Sequence, residues 1–136
     1  MNIGWAFRSA ALRYPEWCGL DDGRRSLTYG EWYLRVARIA GWLRARGVGR
    51  GDRVALAMRQ SEQVASAYLA IQVAGAVAVP ISFRFGAREL GHCLRDSGAR
   101  LLLVDDAVRE ALDRVDDRRR LVEAVQRLTY GVIDQQ

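Results

Sequence analysis

The chain has 136 residues, half of them apolar, and a formal net charge of +5. This length and composition suffice for one hydrophobic core, which excludes a disordered chain, a collagen-like repeat and a disulfide-stabilised miniprotein. The longest apolar run, residues 73–81, is too short to span a bilayer. All 21 basic residues are arginine, so no mechanism that needs a lysine can be completed by this chain alone.

The N-terminal residues show neither a basic leader nor an uninterrupted apolar core. We therefore expect a cytoplasmic protein in which Cys18 and Cys93 are free thiols. The first predicted element is a helix over residues 3–14, with Trp5, Ser9 and Leu12 along one face and Pro15 ending it. Short apolar runs over 17–20 and 26–29 flank an Asp-Gly turn, which predicts a β-hairpin.

Further along the chain, helical and strand patterns alternate. An amphipathic helix is predicted over 31–46, with a core stripe of Trp32, Val36, Ile39 and Leu43. Buried strands are predicted at 54–58, 76–80 and 101–104, with helices over 61–74 and 87–97 between them. This order predicts an α/β fold with a doubly wound, mainly parallel sheet, flanking helices and a small N-terminal β-hairpin. From residue 107 we expect a tail that is helical in two pieces.

Three apparent motifs have ordinary explanations. The glycines of Gly47–Asp52 follow a helix and precede a strand, whereas a phosphate-binding loop must follow a strand, so they predict a tight turn. His92 and Cys93 lack the partners that a zinc site or a catalytic dyad needs, so no metal site is predicted. The arginines are scattered and often stand beside acids, which favours a solvated surface over nucleic-acid binding.

Ligands of doubly wound sheets bind at the carboxyl ends of the strands. In this chain those ends carry Arg59, Ser82 with Arg84, and Asp105–Asp106 with Arg109. Arg84 and Arg109 have the guanidinium geometry that binds phosphate bidentately. The alternative, which residue types alone favour, is that they pair with nearby carboxylates such as Glu89 and Asp106.

Four segments stand in an order that resembles a known family: Leu27–Glu31, Gly49–Leu56, Ala74–Ile81 and Leu94–Leu101. Together they resemble the N-terminal portion of adenylate-forming acyl-CoA synthetases, the AMP-binding ligases, from about residue 3 to 106. Residues 83–86 look closer to the short- and medium-chain acyl-CoA synthetase branch. We therefore divide the chain into an N-terminal ligase subdomain, 1–106, and a helical tail diverging from the family, 107–136.

The resemblance implies a two-step reaction with ATP, Mg and coenzyme A. A carboxylate attacks ATP to give an acyl-adenylate and pyrophosphate, and a thiol then displaces AMP. The family's phosphate loop and catalytic lysine do not occur in these 136 residues. The resemblance carries one position over: Arg109, after the third strand, matches a basic residue near the coenzyme A phosphates. No catalytic residue and no metal ligand are predicted, and no cofactor is expected to bind this chain alone.

Two hypotheses of function remain open. The first is a truncated or split acyl-CoA synthetase, connected with fatty acid metabolism, that is inactive alone and whose partner is the rest of the ligase. The second is a non-catalytic interaction module that completes a split ligase or self-associates through an exposed apolar patch or strand edge. A degenerate gene product without activity of its own is the remaining alternative. Neither predicts a nucleic-acid partner or a membrane span.

Overall fold

The computed structural model describes residues 2–113 and 129–132, with Asp113 and 129–132 described by their backbone. In chain order the elements are α1 (Ile3–Arg13), β1 (Cys18–Asp21), β2 (Ser26–Thr28), α2 (Tyr29–Ala45), β3 (Arg53–Ala57), α3 (Glu62–Val73), β4 (Val77–Pro80), α4 (Ala87–Ser97), β5 (Leu101–Val104), α5 (Asp106–Asp113) and β6 (Thr129–Val132). They form two compact units. Among the described residues, one unit comprises 2–51 and Gln60–Val77, and the other comprises Asp52–Arg59, 78–113 and 129–132.

The first unit consists of the hairpin β1–β2 and helices α1, α2 and α3, which pack against one another. The predicted stripe on α2 is confirmed, because Val36 and Leu43 are fully buried and Ile39 nearly so. The helix begins with a capping box, in which Thr28 Oγ1 accepts the N–H of Glu31 and the Glu31 carboxylate accepts the N–H of Thr28.

Trp5 and Leu12, which the sequence places along one face of α1, lie on the exposed side of the helix. Trp5 and Leu12 are 59% and 62% exposed, and the buried residues are instead Gly4, Phe7 and Ala11. The Phe7 ring packs edge-on against Trp32, with 4.8 Å between the ring centroids. A close approach of helices explains the choice of face, since a Cβ at Gly4 would lie 2.9 Å from the backbone nitrogen of Val73 in α3.

The second unit is built on a sheet with the strand order β4-β3-β5-β6. Strands β3 and β5 pair in parallel, with Val54 opposite Leu101 and Ala57 opposite Val104. Helices α4 and α5 cover one face of this pair, where Leu90, Leu94, Val108 and Leu112 pack on Ala55, Ala57, Leu102 and Val104. The predicted parallel sheet with flanking helices is confirmed.

Two strand predictions need correction. Strand β4 is an edge strand with exposed ends, Val77 and Pro80, so it is not the buried strand that its apolar run predicted. The tail is helical over Asp106–Asp113, as predicted, but Thr129–Val132 form β6, which pairs in parallel with β5. An apolar run shows neither whether a strand is central nor which distant strand it joins. The rest of the predicted tail, 114–128 and 133–136, lies outside the described residues.

Within the described residues, no helix combines the length and apolarity needed to cross a membrane.

Candidate functional site

The carboxyl ends of β3, β4 and β5 carry the residues that the sequence marked as a ligand edge. We call Arg59, Ser82, Arg84, Asp105, Asp106 and Arg109 the carboxyl edge. All six belong to the second unit. The register of β3 against β5 aligns their last residues, Ala57 and Val104, so the segments that follow emerge side by side.

Asp105 lies at the centre of this edge and is only 6% exposed. Its Oδ2 accepts two hydrogen bonds from Arg59, one from the backbone N–H at 3.0 Å and one from Nε at 3.1 Å. Its Oδ1 accepts the backbone N–H of Val108 at 2.9 Å. Burial opposes ionisation of the carboxyl, but these donors and the positive charge of Arg59 outweigh it and hold the pKa of Asp105 below its usual value.

Arg109, the predicted site residue, lies in α5 with its guanidinium half-exposed. Its Nη2 is 3.2 Å from Asp106 Oδ1, and its backbone N–H donates to the carbonyl of Asp105 at 2.9 Å. The Asp106 carboxylate is 64% exposed. An ion pair this exposed contributes about 0–1 kcal/mol, so an incoming phosphate can replace the carboxylate at little cost.

Arg84 is exposed, and its guanidinium carbon lies 5.6 Å from the centroid of the Phe83 ring. The structure therefore gives the two arginines different settings, since Arg109 pairs with a carboxylate and Arg84 contacts an aromatic ring. The pair that the sequence analysis missed is Arg59 with Asp105. Parallel pairing of their strands is the signal that could have found it, because it brings the two strand ends together.

The remaining candidates are not supported as sites. His92 is exposed on α4, and Cys18 and Cys93 are free thiols, as predicted. Among the residues that the structure describes, no group of three or more His, Cys, Asp or Glu side chains could hold a metal ion.

A buried polar network lies in the first unit. Glu62, 4% exposed, is paired with Arg35 and accepts a hydrogen bond from Ser66, and Trp32 Nε1 donates to Ser66 Oγ at 3.0 Å. The backbone N–H of Glu62 donates to Asp22 Oδ2 at 2.9 Å, and that bond is the main cause of the lowered pKa of Asp22. These contacts hold the hairpin against the start of α3, so we assign the network to folding.

The sequence resembles proteins that are named as acyl-CoA synthases and CoA ligases. It is 43% identical over 99 residues to a feruloyl-CoA synthase of Amycolatopsis, a match covering 73% of this chain and 20% of that protein. It is 42% identical over 83 residues to a 3-hydroxybenzoate–CoA ligase of Aromatoleum, covering 61% and 16%. The chain thus spans about a fifth of the length of the curated relatives it matches.

Solved structures give the same result. The N-terminal domain of FACL13 from Mycobacterium tuberculosis superposes with a TM-score of 0.82 at 29% identity, covering 98% of this chain and 34% of that one. The family model described as AMP-binding enzyme matches residues 7–135, so the match continues beyond residue 106 into the tail. The chain belongs to the AMP-binding enzyme family and has the fold of the N-terminal part of its acyl-CoA ligases.

Proposed function

We propose that the chain supplies the N-terminal subdomain of an AMP-forming carboxylic acid–thiol ligase and does not form adenylates by itself. The observation that carries the proposal is the family match over residues 7–135 in a sequence with no lysine. Adenylation builds negative charge on the transferred phosphate, and preorganised cations must stabilise that charge. The family meets this need with lysines, so we assign the chemistry to a lysine-bearing part of the ligase.

Complementation tests this assignment. The chain is combined with the part of the Amycolatopsis feruloyl-CoA synthase that follows the matched region, and ATP–pyrophosphate exchange is measured with ferulate. We expect exchange from the mixture and none from either part alone. Exchange by the pure 136-residue chain would contradict the proposal. Failure of the mixture, together with exchange by a covalent fusion, would mean that the two parts need a peptide link.

For the thiol, we propose coenzyme A and a phosphate contact at Arg109. Two relatives are named for coenzyme A products, which supports the choice of thiol. Arg109 is half-exposed, and the carboxylate it pairs with is itself exposed, which leaves its guanidinium available to phosphate. We expect coenzyme A to shift the Arg109 Nε–Hε resonance. Arg109→Ala should weaken binding about tenfold, as loss of one charge-assisted contact predicts. Arg88→Ala, an exposed arginine on α4, is the control.

Self-association is the second candidate function. Trp5 and Leu12 stand seven residues apart on α1 and therefore point to one side of the helix, each more than half exposed. A second copy of the chain, with the same stripe, would bury both side chains. Sedimentation velocity should then show a dimer that Trp5→Arg dissociates. A monomer at all concentrations would rule out this candidate and leave the ligase proposal untouched.

A further inference from the structure

Asp105 connects three elements of the second unit. It follows β5 directly and precedes α5, and its carboxylate contacts residues from two directions. Oδ2 accepts hydrogen bonds from the backbone N–H and the Nε–H of Arg59, two residues after β3, and Oδ1 accepts the N–H of Val108 in the first turn of α5. The backbone carbonyl of Asp105 accepts the N–H of Arg109.

The bond to Val108 is an N-cap interaction, since it satisfies a helical N–H that has no partner within the helix. Arg109 is the next residue, and its N–H makes the first intrahelical bond, back to Asp105. The direction in which the Arg109 side chain leaves the backbone therefore depends on how the first turn of α5 is wound. Loss of the cap lets this turn fray, and the position from which the Arg109 side chain extends is then no longer fixed.

Arg59 fixes the capping carboxylate to the sheet. The bond from its backbone N–H is independent of the side chain, and the Nε bond adds a charge-assisted contact to the same oxygen. Because β3 pairs with β5 in parallel, Arg59 and Asp105 are attached to neighbouring strands. The carboxylate that caps α5 is thus tied to the segment that follows β3.

We propose that Asp105, held by Arg59, is a positioning residue that presents the guanidinium of Arg109 to a phosphate group of coenzyme A. This inference rests on the phosphate contact proposed above and adds the residues that orient it. Bidentate binding of phosphate depends on the orientation of a planar guanidinium, so a contact made from a frayed turn loses affinity. Asp105 touches no ligand in this role and acts through Arg109.

The test uses the ¹⁵N-labelled chain and two probes that differ in phosphate. One is coenzyme A, and the other is an equimolar mixture of pantetheine and adenosine, which carries the organic parts without phosphate. NMR titration of the Arg109 Nε–Hε resonance gives the preference for phosphate. Exchange of the Val108 and Arg109 amides gives the order of the first turn, and the Leu102 and Leu103 amides in β5 report the sheet.

In Asp105→Asn the single amide oxygen can face either the donors of Arg59 or the N–H of Val108, so the side chain can no longer hold the first turn of α5 to Arg59 through two acceptors. We expect the Val108 and Arg109 amides to exchange at least tenfold faster, with the β5 amides unchanged, and the preference for phosphate to fall at least fivefold. Asp96→Asn, an exposed residue of α4, should match the wild type in both measurements. Arg59→Ala keeps the backbone bond and should give a smaller loss, which Arg59→Lys partly restores.

The outcomes separate the two claims. Equal binding of the two probes by the wild type overturns the phosphate contact and the positioning role together. A wild-type preference that survives in Asp105→Asn overturns the positioning role alone, even where amide exchange is faster, since Asp105 then caps α5 without orienting Arg109. Where Asp105→Asn does not fold, the Arg59 pair decides: an unchanged preference in Arg59→Ala overturns the role assigned to the Arg59–Asp105 pair.

Discussion

Gly4 of α1 approaches Val73 of α3 so closely that a Cβ on Gly4 would lie 2.9 Å from the Val73 backbone nitrogen. Backbone on both sides of this contact leaves no flexible side chain to move aside. Gly41, in the middle of α2, is the opposite case, since it is exposed and a Cβ there would meet nothing within 4 Å.

These two glycines give a matched pair of substitutions. Glycine-to-alanine in a helix gains about 1 kcal/mol from propensity. Gly41→Ala should realise that gain, whereas Gly4→Ala should lower the free energy of unfolding by about 1–3 kcal/mol because the helices must separate. Urea unfolding of both variants measures the difference. Stabilisation by Gly4→Ala would contradict the close packing of α1 on α3.

The buried face of α1 is tested by two truncations. Phe7 is 7% exposed and contacts Trp32, so Phe7→Ala should cost about 3–5 kcal/mol of unfolding free energy. Leu12 is 62% exposed, and Leu12→Ala should change the free energy of unfolding by less than about 0.5 kcal/mol. Equal losses would contradict the packing of α1 through Phe7.

Glu62 should be among the most sensitive polar positions. Glu62→Ala leaves the mostly buried guanidinium of Arg35 without its carboxylate, which should cost about 3–5 kcal/mol. Glu62→Gln keeps an acceptor for Ser66 and should cost less. Chemical denaturation is the measurement, with Asp96→Ala, exposed on α4, as the control. A loss below about 1 kcal/mol in Glu62→Ala would contradict the role of this network.

Asp105 should link stability to pH. Its pKa is lowered in the folded state, so its contribution is fully present above the unfolded pKa, about 3.9, and is lost as pH falls through the folded value. Asp105→Asn should therefore be about 2–3 kcal/mol less stable than the wild type at pH 7. Urea titrations from pH 7 to pH 3 should show this gap closing below about pH 4. A gap of the same size at pH 3 would show that ionisation of Asp105 does not matter.

Local signals in the sequence located most of the elements of this fold. Helix α4 has the predicted bounds, Ala87–Ser97, because Gly98 adopts the left-handed conformation that ends a helix. The apolar run of β5 is buried along its whole length, as an inner strand requires. These features depend on residues that are close in sequence, and the pattern of the sequence predicts such local features well.

The differences between the predicted and the observed structure occur where contacts between residues distant in sequence determine the structure. The sequence did not predict which face of α1 is buried, because that depends on the missing side chain of Gly4, which lets α3 approach. Strand β6 was missed because its partner, β5, is separated from it by the chain between Val104 and Thr129. The sequence placed Arg109 after the strand at 101–104, which is β5 in the structure. It did not show that Asp105 caps the helix of Arg109 while bound to Arg59, because that contact depends on pairing across the sheet.

The central proposal is that this chain has the fold of the N-terminal part of the acyl-CoA ligases and does not form adenylates by itself. ATP–pyrophosphate exchange by the purified 136-residue chain tests it most directly, with ferulate, 3-hydroxybenzoate and a fatty acid as substrates and intact feruloyl-CoA synthase as the positive control. We predict no exchange above the protein-free blank with any acid. Exchange that depends on the added acid would contradict the claim, because a chain without lysine would then complete the first half-reaction alone.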